Sequence, residues 1–595
     1  MVYNRTLSCE PQSSTRARLA PAFILPLLLT CPVLAQTSNV LTGQYNNSRS
    51  GANLHETILT PAAVSATTFG LLFAQTVDGN LLAQPLYVQG LTIANALHNV
   101  VFAATSNDSV YAFDADTYQP ALWHMSLGTP VKAASGVLIG IVSTPVIDTA
   151  LNALFVVSYT VENSTLVYRL HALDLQTGAD MANVIVQGAV PGTGDDSQTT
   201  TCLAAGGTAV QPPCVPFVAS EVMQRPGLLE DTAHATIYLA FGVVGGNEAT
   251  RLYHGWLIGY RYAAGVFSQS MIFNTTQNAT QTGFPCTTPP PPSNQCGHGG
   301  GIWMSGRGPA LDNTGIYAVS GNGGYGGIGT GNWSESALRL SGAGVVKDFF
   351  TPNNYSDLNA RDLDLGNAGP ILFNSANTTA PHLLVTAGKA GMVYLLDRAS
   401  LGRFSSSNSG VVQMFPATPQ GCGTGPGQSL CYEVHSTALW ARTNAAPLLY
   451  IWPYGDMLRV WDFDATTNQF APDANTGALP APYFPGGGLA VSADGNSNGI
   501  VWGIVPVTNT YRGQGMLYAF DATNVAKQLF ASTDYWFATK FTIPTVANGK
   551  VYVPTSASPP SVTPVYLPQL RVYGPTAVGQ ALRLPSHKRH KKSQA

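Results

Sequence analysis

Alternating large apolar residues that run into an aspartate and a turn recur along the whole chain. Five well-defined copies end at Asp114, Asp174, Asp397, Asp462 and Asp521, and weaker copies cover residues 256–262, 337–341 and 570–573. Alternation with a period of two predicts a β-strand, and an aspartate at its end can accept hydrogen bonds from the backbone of its own turn. The pattern predicts a repeating β-structure.

The spacing of these copies sets the size of the repeat. Neighbouring well-defined copies lie 59 to 65 residues apart, which is room for four strands and their loops. Eight copies predict an all-β fold, namely a single β-propeller of eight four-stranded blades, with seven blades as the alternative. We expect residues 570–573 to pair with a strand from the N-terminal part, because closing the ring removes its exposed edges.

The composition agrees with a folded chain that is rich in turns. The 595 residues include 61 glycines and 41 prolines, and only 10 % are charged, against about 25 % in ordinary globular proteins. The net charge of −3 includes a basic stretch at each end, so the body between them is acidic. This charge distribution argues against nucleic acid as a partner.

The two ends of the chain have patterns of their own. Arg16 and Arg18 precede an apolar run that ends in Val-Leu-Ala, which suits signal-peptidase cleavage before Gln36. We therefore expect a signal peptide at 1–35, the propeller at 36–575 and a disordered basic tail at 576–595. The apolar run is too short to span a bilayer. These features predict a secreted or periplasmic protein with no transmembrane span, and a lipid anchor at Cys31 is a minor alternative.

Six cysteines remain after that cleavage, and they form three close pairs in the sequence: Cys202 with Cys214, Cys286 with Cys296, and Cys422 with Cys431. Six cysteines allow fifteen connectivities. The short separations favour three local disulfides, which an exported protein can keep. The sequence has no Cys-x-x-Cys-His motif, which argues against covalently attached haem.

Several segments resemble the quinoprotein alcohol dehydrogenase superfamily, whose propellers bind pyrroloquinoline quinone (PQQ). The Ala-x-Asp-x-x-Thr-Gly pattern at residues 172–178, and Asp114 followed by Trp123, are similar to its repeat. Residues 44–54 resemble the opening segment of these enzymes, and residues 541–553 resemble their last blade. The resemblance covers most of the mature chain and implies a propeller fold.

The resemblance also implies a cofactor site. In the superfamily a tryptophan stacks on PQQ, an asparagine and a carboxylate bind a metal ion, an aspartate is the general base, and a lysine or arginine contacts the quinone. Matching motifs assign cofactor binding to Trp303 and Lys389, metal binding to Asn322, Asp362 and Asp364, and general-base catalysis to Asp362. The implied cofactors are PQQ with Ca²⁺ or a lanthanide ion, hard cations that prefer oxygen ligands.

Two departures from the superfamily pattern weaken the catalytic interpretation. No two cysteines are adjacent, whereas the enzymes carry a vicinal pair beside the quinone. For the metal-binding glutamate, Glu248 is the candidate and Glu221 its competitor. We therefore carry two hypotheses. One is a PQQ- and metal-dependent oxidoreductase acting on an alcohol or sugar hydroxyl of a small molecule; the other is a non-enzymatic propeller with a degenerate site, which binds a protein or glycan ligand or serves as a scaffold.

Each candidate residue also has a purely structural interpretation. A tryptophan such as Trp303 can cover a blade core, and an asparagine in a glycine-rich segment, such as Asn322, can occupy a positive-φ turn. Asp362 and Asp364 can cap turns, and Lys389 can be an exposed turn residue. Convergence of these residues at one end of the ring is the observation that favours chemistry over packing.

Overall fold

The structure is a computed structural model that describes residues 38–133, 135–243, 253–280, 299–418, 432–443, 445–472, 477, 482–508 and 513–576. Over these residues the chain forms eight antiparallel sheets with four main strands each, and in all but the last sheet the four strands are in sequence order. The helices in this part of the chain are the α-helix Tyr355–Arg361 and the 3-10 helices Ala205–Gly207 and Met304–Gly306. The prediction of an eight-bladed, all-β propeller is confirmed.

Each blade begins with an innermost strand beside the central axis and ends with an outermost strand at the rim. The strands of the first four blades, from inside to outside, are Leu86–Ile93, Ala96–Ala104, Ser109–Asp114 and Trp123–Ser126 in blade 1; Val146–Asp148, Ala153–Glu162, Thr165–Asp174 and Asp180–Ile185 in blade 2; Leu229–Asp231, Thr236–Val243, Trp256–Ala263 and Val266–Asn274 in blade 3; and Ala310–Asp312, Gly315–Val319, Ala337–Leu340 and Val346–Thr351 in blade 4.

The other four blades follow the same order. Their strands are Ile371–Asn374, His382–Ala387, Met392–Asp397 and Gln413–Pro416 in blade 5; Thr437–Trp440, Leu448–Ile451, Arg459–Asp464 and Gln469–Pro472 in blade 6; Gly488–Asp494, Ser497–Pro506, Gly515–Asp521 and Asn524–Ala531 in blade 7; and Thr545–Ala547, Lys550–Ser556, Gln569–Pro575 and Phe69–Thr76 in blade 8. Short additional strands are Ala52–Asn53, Ala189–Pro191, Cys202–Leu203, Ala209–Val210, Cys214–Pro216, Val222–Met223, Tyr325–Gly327, Asn332–Trp333, Arg403–Phe404 and Phe537–Ala538.

The repeated sequence pattern is the third strand of each blade. In the blades whose third strand ends in an aspartate, that side chain caps the turn that follows. Asp174 Oδ1, for example, accepts hydrogen bonds from the backbone N–H of Gln176 at 2.9 Å and of Thr177 at 2.8 Å. Blade 6 differs from the prediction. There the capping residue is Asp464 rather than Asp462, because the strand continues two residues further before its turn.

The ring is closed by a strand from the N-terminal part of the chain, as predicted. Phe69–Thr76 pairs antiparallel with Gln569–Pro575 and forms the outermost strand of blade 8. Because one blade is built from both ends of the sequence, neither end of the ring is left as an open sheet edge.

A second N-terminal feature was not predicted. Residues 40–53 run round the inside of the ring and contact the innermost strand of every blade in turn. The contacts, from blade 1 to blade 8, are Val40 with Tyr87, Leu41 with Ile147, Asn47 with Glu230 and with Leu311, Ser48 with Leu372, Ser50 with Leu439, Gly51 with Val491, and Asn53 with Val546. We call residues 40–53 the inner loop.

Two buried arginines fix the inner loop to the blades. The Arg49 guanidinium donates to the carbonyl oxygens of Pro309 and Leu228, at 2.8 and 2.9 Å. The Arg307 guanidinium donates to the carbonyl oxygen of Arg49 itself and to those of Ala368 and Thr437. Burial lowers the pKa of both guanidinium groups to about 9. Together they join blades 3 to 6 at the centre of the ring.

Neighbouring blades pack through apolar and aromatic side chains. Between blades 1 and 2, Trp123 Nε1 donates to the Leu175 carbonyl oxygen at 2.9 Å, and the Trp123 ring lies where a Cβ on Gly178 would be, 2.6 Å away. Gly178 also has a φ of +73°, which favours glycine. The glycine of the Thr-Gly pair is therefore required by its turn and by the tryptophan of the preceding blade.

The disulfide Cys202–Cys214 is formed, with an S–S distance of 2.11 Å, in the insertion between blades 2 and 3. The pairs Cys286/Cys296 and Cys422/Cys431 lie outside the described residues and stay predictions, as do the signal peptide and most of the basic tail. Within the described residues, none of the helices is long and apolar enough to cross a membrane.

Candidate active site

Four of the predicted site residues come together at one end of the ring. We call this the entry end, because the chain enters the innermost strands there. Asn322 lies in the loop between the second and third strands of blade 4, and Lys389 lies in the equivalent loop of blade 5. Asp362 and Asp364 precede the innermost strand of blade 5. In an up-and-down blade these positions share one end.

The four side chains form one hydrogen-bonded cluster. Lys389 Nζ lies 3.0 Å from Asp362 Oδ1 and 2.5 Å from Asp364 Oδ2. Asn322 Nδ2 donates to Asp362 Oδ1 at 2.6 Å, and the Asn322 backbone N–H donates to Asp364 Oδ1 at 2.9 Å. We call these four residues the lysine cluster.

The two aspartates differ in which of their carboxylate oxygens already accept hydrogen bonds. Both oxygens of Asp364 accept hydrogen bonds from the lysine cluster, and its side chain is only 5 % exposed. Both donors to Asp362 reach Oδ1, and its side chain is 38 % exposed. Oδ2 of Asp362 therefore has no donor among the described residues and is the carboxylate oxygen that a ligand can reach.

Local backbone features place these side chains. The helix Tyr355–Arg361 ends at Asp362, which has the left-handed φ of 56° and whose N–H bonds to the Leu358 carbonyl oxygen. This C-cap turns the chain toward the axis just before Asp364. Gly321 lies directly against the Asp364 carboxylate, with no room for a Cβ. A glycine immediately before Asn322 is thus what allows the loops of blades 4 and 5 to approach.

The charges of the cluster support each other. Burial by itself lowers the pKa of Lys389, because it disfavours the charged ammonium. The carboxylates of Asp364 and Asp362 outweigh this effect, and the pKa of Lys389 is raised above its ordinary value. Burial and the Asp364 carboxylate raise the pKa of Asp362 above its ordinary value, and Lys389 opposes that change. Asp362 is thus a better proton acceptor than an isolated surface aspartate.

A third carboxyl group, that of Glu335, adjoins the cluster, and no sequence motif predicted it. Glu335 is fully buried and has a left-handed φ of 49°. Its Oε2 accepts a hydrogen bond from the Leu365 backbone N–H at 2.6 Å, and its Oε1 has no partner among the described residues. Burial, followed by the Asp364 carboxylate, raises the pKa of Glu335 well above its ordinary value. Glu335 therefore holds the backbone directly after Asp364.

Glu433 and His435, which were also not predicted, form a pair just before the innermost strand of blade 6. His435 Nε2 lies 3.2 Å from Glu433 Oε2. Burial raises the pKa of Glu433 to about 7, against the effect of Lys389. Burial, and then the charges of Lys389 and Lys540, lower the pKa of His435 well below its ordinary value. His435 is therefore neutral at physiological pH.

Among the described residues, no hydrogen bond or ion pair links Trp303 or Glu221 to the lysine cluster. The Trp303 ring packs on Gly242 and Gly301, and Gly321 donates its N–H to the Gly301 carbonyl oxygen at 2.9 Å. The stacking of Trp303 on a cofactor stays a prediction. Glu221 precedes the short strand Val222–Met223 and accepts a hydrogen bond from Ser220. Glu248 lies outside the described residues.

The oxygen atoms of this region suit a hard cation. Asn322 Oδ1 is buried and has no hydrogen-bond partner among the described residues, and the carboxylates of Asp362 and Asp364 lie beside the same asparagine. Amide and carboxylate oxygens are the ligands that Ca²⁺ and similar ions take. Elsewhere in the described ranges, as here, no three His, Cys, Asp or Glu side chains form a metal-holding group by themselves. A cation would therefore need Asn322 and oxygens of its ligand or water as well.

A larger concave region lies at the opposite end of the ring. This groove has a volume of about 1040 Å³ and lies between blades 3 and 4, with Asp231, His234, Arg261 and Asp312 in its wall. His234 Nδ1 lies 2.6 Å from Asp231 Oδ2, but Asp231 Oδ1 accepts the backbone N–H groups of its own turn. None of the predicted site residues lines this groove. The groove and the lysine cluster therefore lie at opposite ends of the ring.

Comparison with known proteins adds information on the fold. No protein-family model and no curated protein matches the sequence. Among solved structures, the quinohemoprotein alcohol dehydrogenase ADHIIG from Pseudomonas putida HK5 matches with a TM-score of 0.55 at 13 % identity, over 92 % of this chain and 81 % of that chain. A europium-containing methanol dehydrogenase matches with a TM-score of 0.54 at 13 % identity, over 90 % and 98 %.

The quinohemoprotein alcohol dehydrogenase from Comamonas testosteroni matches similarly, with a TM-score of 0.55 at 12 % identity, over 92 % of this chain and 82 % of that chain. The chain shares its fold with the quinoprotein alcohol dehydrogenases. This confirms the fold that the sequence resemblance implied. Identities of 12 to 13 % concern the fold alone, so the function of the propeller depends on its own site residues.

Proposed function

We propose that the protein is an exported oxidoreductase that binds PQQ with Ca²⁺ or a lanthanide ion and oxidises an alcohol or sugar hydroxyl. The observation that carries the proposal is the convergence of Asn322, Asp362, Asp364 and Lys389 in one hydrogen-bonded cluster at the entry end. These four polar residues come from the loops of blades 4 and 5 and contact one another there. The disulfide Cys202–Cys214 is consistent with export, because disulfides persist in oxidising compartments.

The roles of the two aspartates follow from their free oxygens. Asp362 would accept the hydroxyl proton on Oδ2, the oxygen without a donor, and its raised pKa suits a general base. Asp364 has both oxygens engaged and would orient Lys389 and Asn322. Asp362 is thus the catalytic residue, and Asp364 is a positioning residue.

Lys389, Asn322 and Glu335 would hold the site together. The Lys389 ammonium keeps both carboxylates in place and would donate to a quinone oxygen. Asn322 Oδ1, buried and without a hydrogen-bond partner among the described residues, would join Asp362 as a ligand to the metal ion. PQQ, when bound, supplies the two-electron acceptor for the hydride. Glu335 would keep the Leu365 backbone fixed through its hydrogen bond.

Reconstitution of the full-length protein tests this proposal. PQQ with Ca²⁺ or La³⁺ should confer reduction of an artificial dye with at least one of methanol, ethanol and glucose. Asp362→Asn should lower turnover by at least about 100-fold, since a general base contributes 10²–10⁴-fold, and should leave PQQ affinity within about threefold.

The matched control is Asp357→Asn, on the exposed face of the helix that precedes Asp362. It should leave both turnover and PQQ affinity unchanged. Turnover that survives Asp362→Asn would contradict the assignment of the base.

One observation favours the non-enzymatic alternative. Lys389 Nζ lies between the two aspartates, so a fixed ammonium already supplies the positive charge that a metal ion would bring. In that case the propeller would bind a protein or glycan ligand at its entry end without oxidising it. The absence of both saturable PQQ binding and dye reduction, in the presence of every ion tested, would support this alternative over the enzyme.

A further inference from the structure

Three aromatic side chains contact one another at the entry end, on the outer side of blade 4. The centroids of the Tyr325 and Tyr355 rings lie 4.8 Å apart, and the Phe404 ring lies 5.8 Å from each of them. They come from the loop between the second and third strands of blade 4, the first turn of the helix Tyr355–Arg361, and the short strand Arg403–Phe404, which pairs with the outermost strand of blade 4. We call these three rings the aromatic platform.

The aromatic platform lies at the surface of the ring. Phe404 is 44 % exposed, and Tyr325 and Tyr355 are half-buried. The rings hold one another in tilted and edge-on arrangements, which aromatic pairs prefer. Contiguous apolar groups that stay in contact with water mark interaction or ligand-binding surfaces. The platform therefore offers rigid apolar area to a ligand.

A continuous series of contacts joins the platform to the lysine cluster. Loop residues 322–325 lie beside the helix Tyr355–Arg361, and three contacts hold the two segments together. These are Asn322 Nδ2 to Asp362 Oδ1 at 2.6 Å, the Gly323 N–H to Asn359 Oδ1 at 2.7 Å, and the Tyr325 ring against the Tyr355 ring. Positions 355, 359 and 362 are spaced i, i+4 and i+7, so they share one face of the helix.

This helix face fixes the distance between the platform and the candidate base. Because α-helix rises 1.5 Å per residue, the seven residues from Tyr355 to Asp362 span about 10 Å. That distance is longer than one sugar ring. A simple alcohol or a monosaccharide at Asp362 Oδ2 would leave the platform unused, whereas an oligosaccharide would reach both.

The surroundings of the platform suit a neutral ligand rich in hydroxyl groups. The side chains that flank its rings in the sequence are mostly amides and hydroxyls, namely Asn353, Asn354, Ser356, Ser405 and Ser406. Two charged neighbours lie near opposite charges: Asp357 Oδ2 is 3.4 Å from Arg361 Nη1, and Arg403 Nε is 3.8 Å from Asp348 Oδ1. Tyrosine rings supply rigid amphipathic contact area, and serine and asparagine supply adaptable hydrogen bonds. This combination favours a saccharide over an ion.

We propose that the aromatic platform is a distal subsite for an oligosaccharide. The apolar face of one sugar ring would stack on the platform, and the terminal sugar would present a hydroxyl to Asp362 Oδ2. The substrate class is then a disaccharide or longer saccharide rather than a simple alcohol. The placement of the reacting sugar rests on the proposed function, and binding at the platform does not.

Calorimetric titration of the full-length protein, without added cofactor, tests the subsite. The probes are glucose, maltotriose and cellotriose. We expect at least one of the two trisaccharides to bind at least about tenfold more tightly than glucose, because only a longer chain reaches the rings. Tyr325→Ala with Tyr355→Ala should abolish this preference and leave the affinity for glucose within about twofold.

Two control proteins make the titration decisive. Tyr325→Phe with Tyr355→Phe retains both rings and should keep most of the preference, which separates the loss of stacking from a loss of folding. Tyr118→Ala removes a tyrosine that is 69 % exposed at the opposite end of the ring, and it should change nothing. Equal affinity for glucose and both trisaccharides, no binding of any probe, or a preference that survives in the double alanine variant would overturn the proposal.

Because the readout is binding, this test is independent of the reconstitution assay. A trisaccharide preference in a protein that never reduces dye would support the subsite and contradict the oxidoreductase. Dye reduction with simple alcohols, without any trisaccharide preference in the titration, would support the oxidoreductase and overturn the subsite.

Discussion

The protein buries cations in two different ways at the centre of one ring. Arg49 and Arg307 are almost fully buried and donate mainly to backbone carbonyl oxygens of blades 3 to 6. Within the described residues neither arginine forms an ion pair with a carboxylate. Lys389 is 19 % exposed and contacts two carboxylates, Asp362 and Asp364.

This difference separates a structural cation from a candidate functional one. A guanidinium that donates to carbonyl oxygens of several blades holds those blades together, so its substitution affects the stability of the whole ring. An ammonium between two aspartates at a partly open end joins only two loops, but it controls the charge available to a ligand. We therefore expect the arginines to dominate stability and Lys389 to dominate binding.

The largest expected effect comes from Arg307→Met. It leaves three buried carbonyl oxygens, those of Arg49, Ala368 and Thr437, without their donor. At about 1–3 kcal/mol for each unsatisfied group, the free energy of unfolding should fall by roughly 3–9 kcal/mol. Thermal unfolding followed by circular dichroism would measure this as a large drop in Tm. An unchanged Tm would show that the arginine is not a joint of the ring.

Lys389→Met should have a smaller effect on stability. Without the ammonium, the buried Asp364 carboxylate keeps only the Asn322 N–H as donor, and a buried charge that has lost its partner destabilises the fold. The variant should therefore lose Tm, and adding Asp364→Asn, which removes the charge, should restore most of the loss. Thermal unfolding of the two variants measures both effects, and no rescue by the second substitution would contradict the ion-pair account.

Glu433→Gln should change how the free energy of unfolding depends on pH. The folded-state pKa of Glu433 is raised from 4.5 to about 7. The wild-type protein therefore loses stability as pH rises from about 4.5 through 7, because the unfolded chain ionises first. Glutamine removes this penalty, and the variant should gain roughly 2–3 kcal/mol over wild type between pH 5 and pH 8. Urea unfolding at the two pH values measures the gain, and parallel curves would contradict it.

The smallest effect on the ring is expected from Cys202→Ser with Cys214→Ser. This disulfide closes a loop in the insertion between blades 2 and 3, away from the inner loop and the blade cores. The main Tm should change by only a few degrees. Intact mass measured with and without reduction should also report three disulfides and a chain that begins near Gln36, and a reactive thiol in the native protein would contradict this.

The sequence contained most of the information about the fold and part of that about the site. The third strand of every blade could be predicted because its alternation is a local feature, and five of these strands also carry a capping aspartate. In blade 6 the strand is longer than predicted, and the cap is Asp464. The inner loop was not visible, because its contacts join residues 40–53 to strands up to about 490 positions away. Contacts between residues so far apart in the chain produce no periodic pattern in the sequence.

The same reasoning explains which site residues were found. Asn322, Asp362, Asp364 and Lys389 lie in short motifs that a family resemblance can match. Glu335, Glu433 and His435 acquire their properties from burial and from neighbours on other blades. A buried glutamate in Asn-Trp-Ser-Glu-Ser looks like any surface glutamate until the Leu365 N–H is placed beside it.

The central claim is that the lysine cluster, rather than the larger groove at the opposite end, is the ligand site of this propeller. Tryptophan fluorescence during titration with PQQ and La³⁺ tests it directly on three proteins: the wild type, Lys389→Met with Asp364→Asn, and His234→Ala in the groove. We predict saturable quenching with the same affinity in the wild type and His234→Ala, and an affinity at least tenfold weaker in the double variant. No saturable quenching in the wild type, or an undiminished affinity in the double variant, would contradict the account.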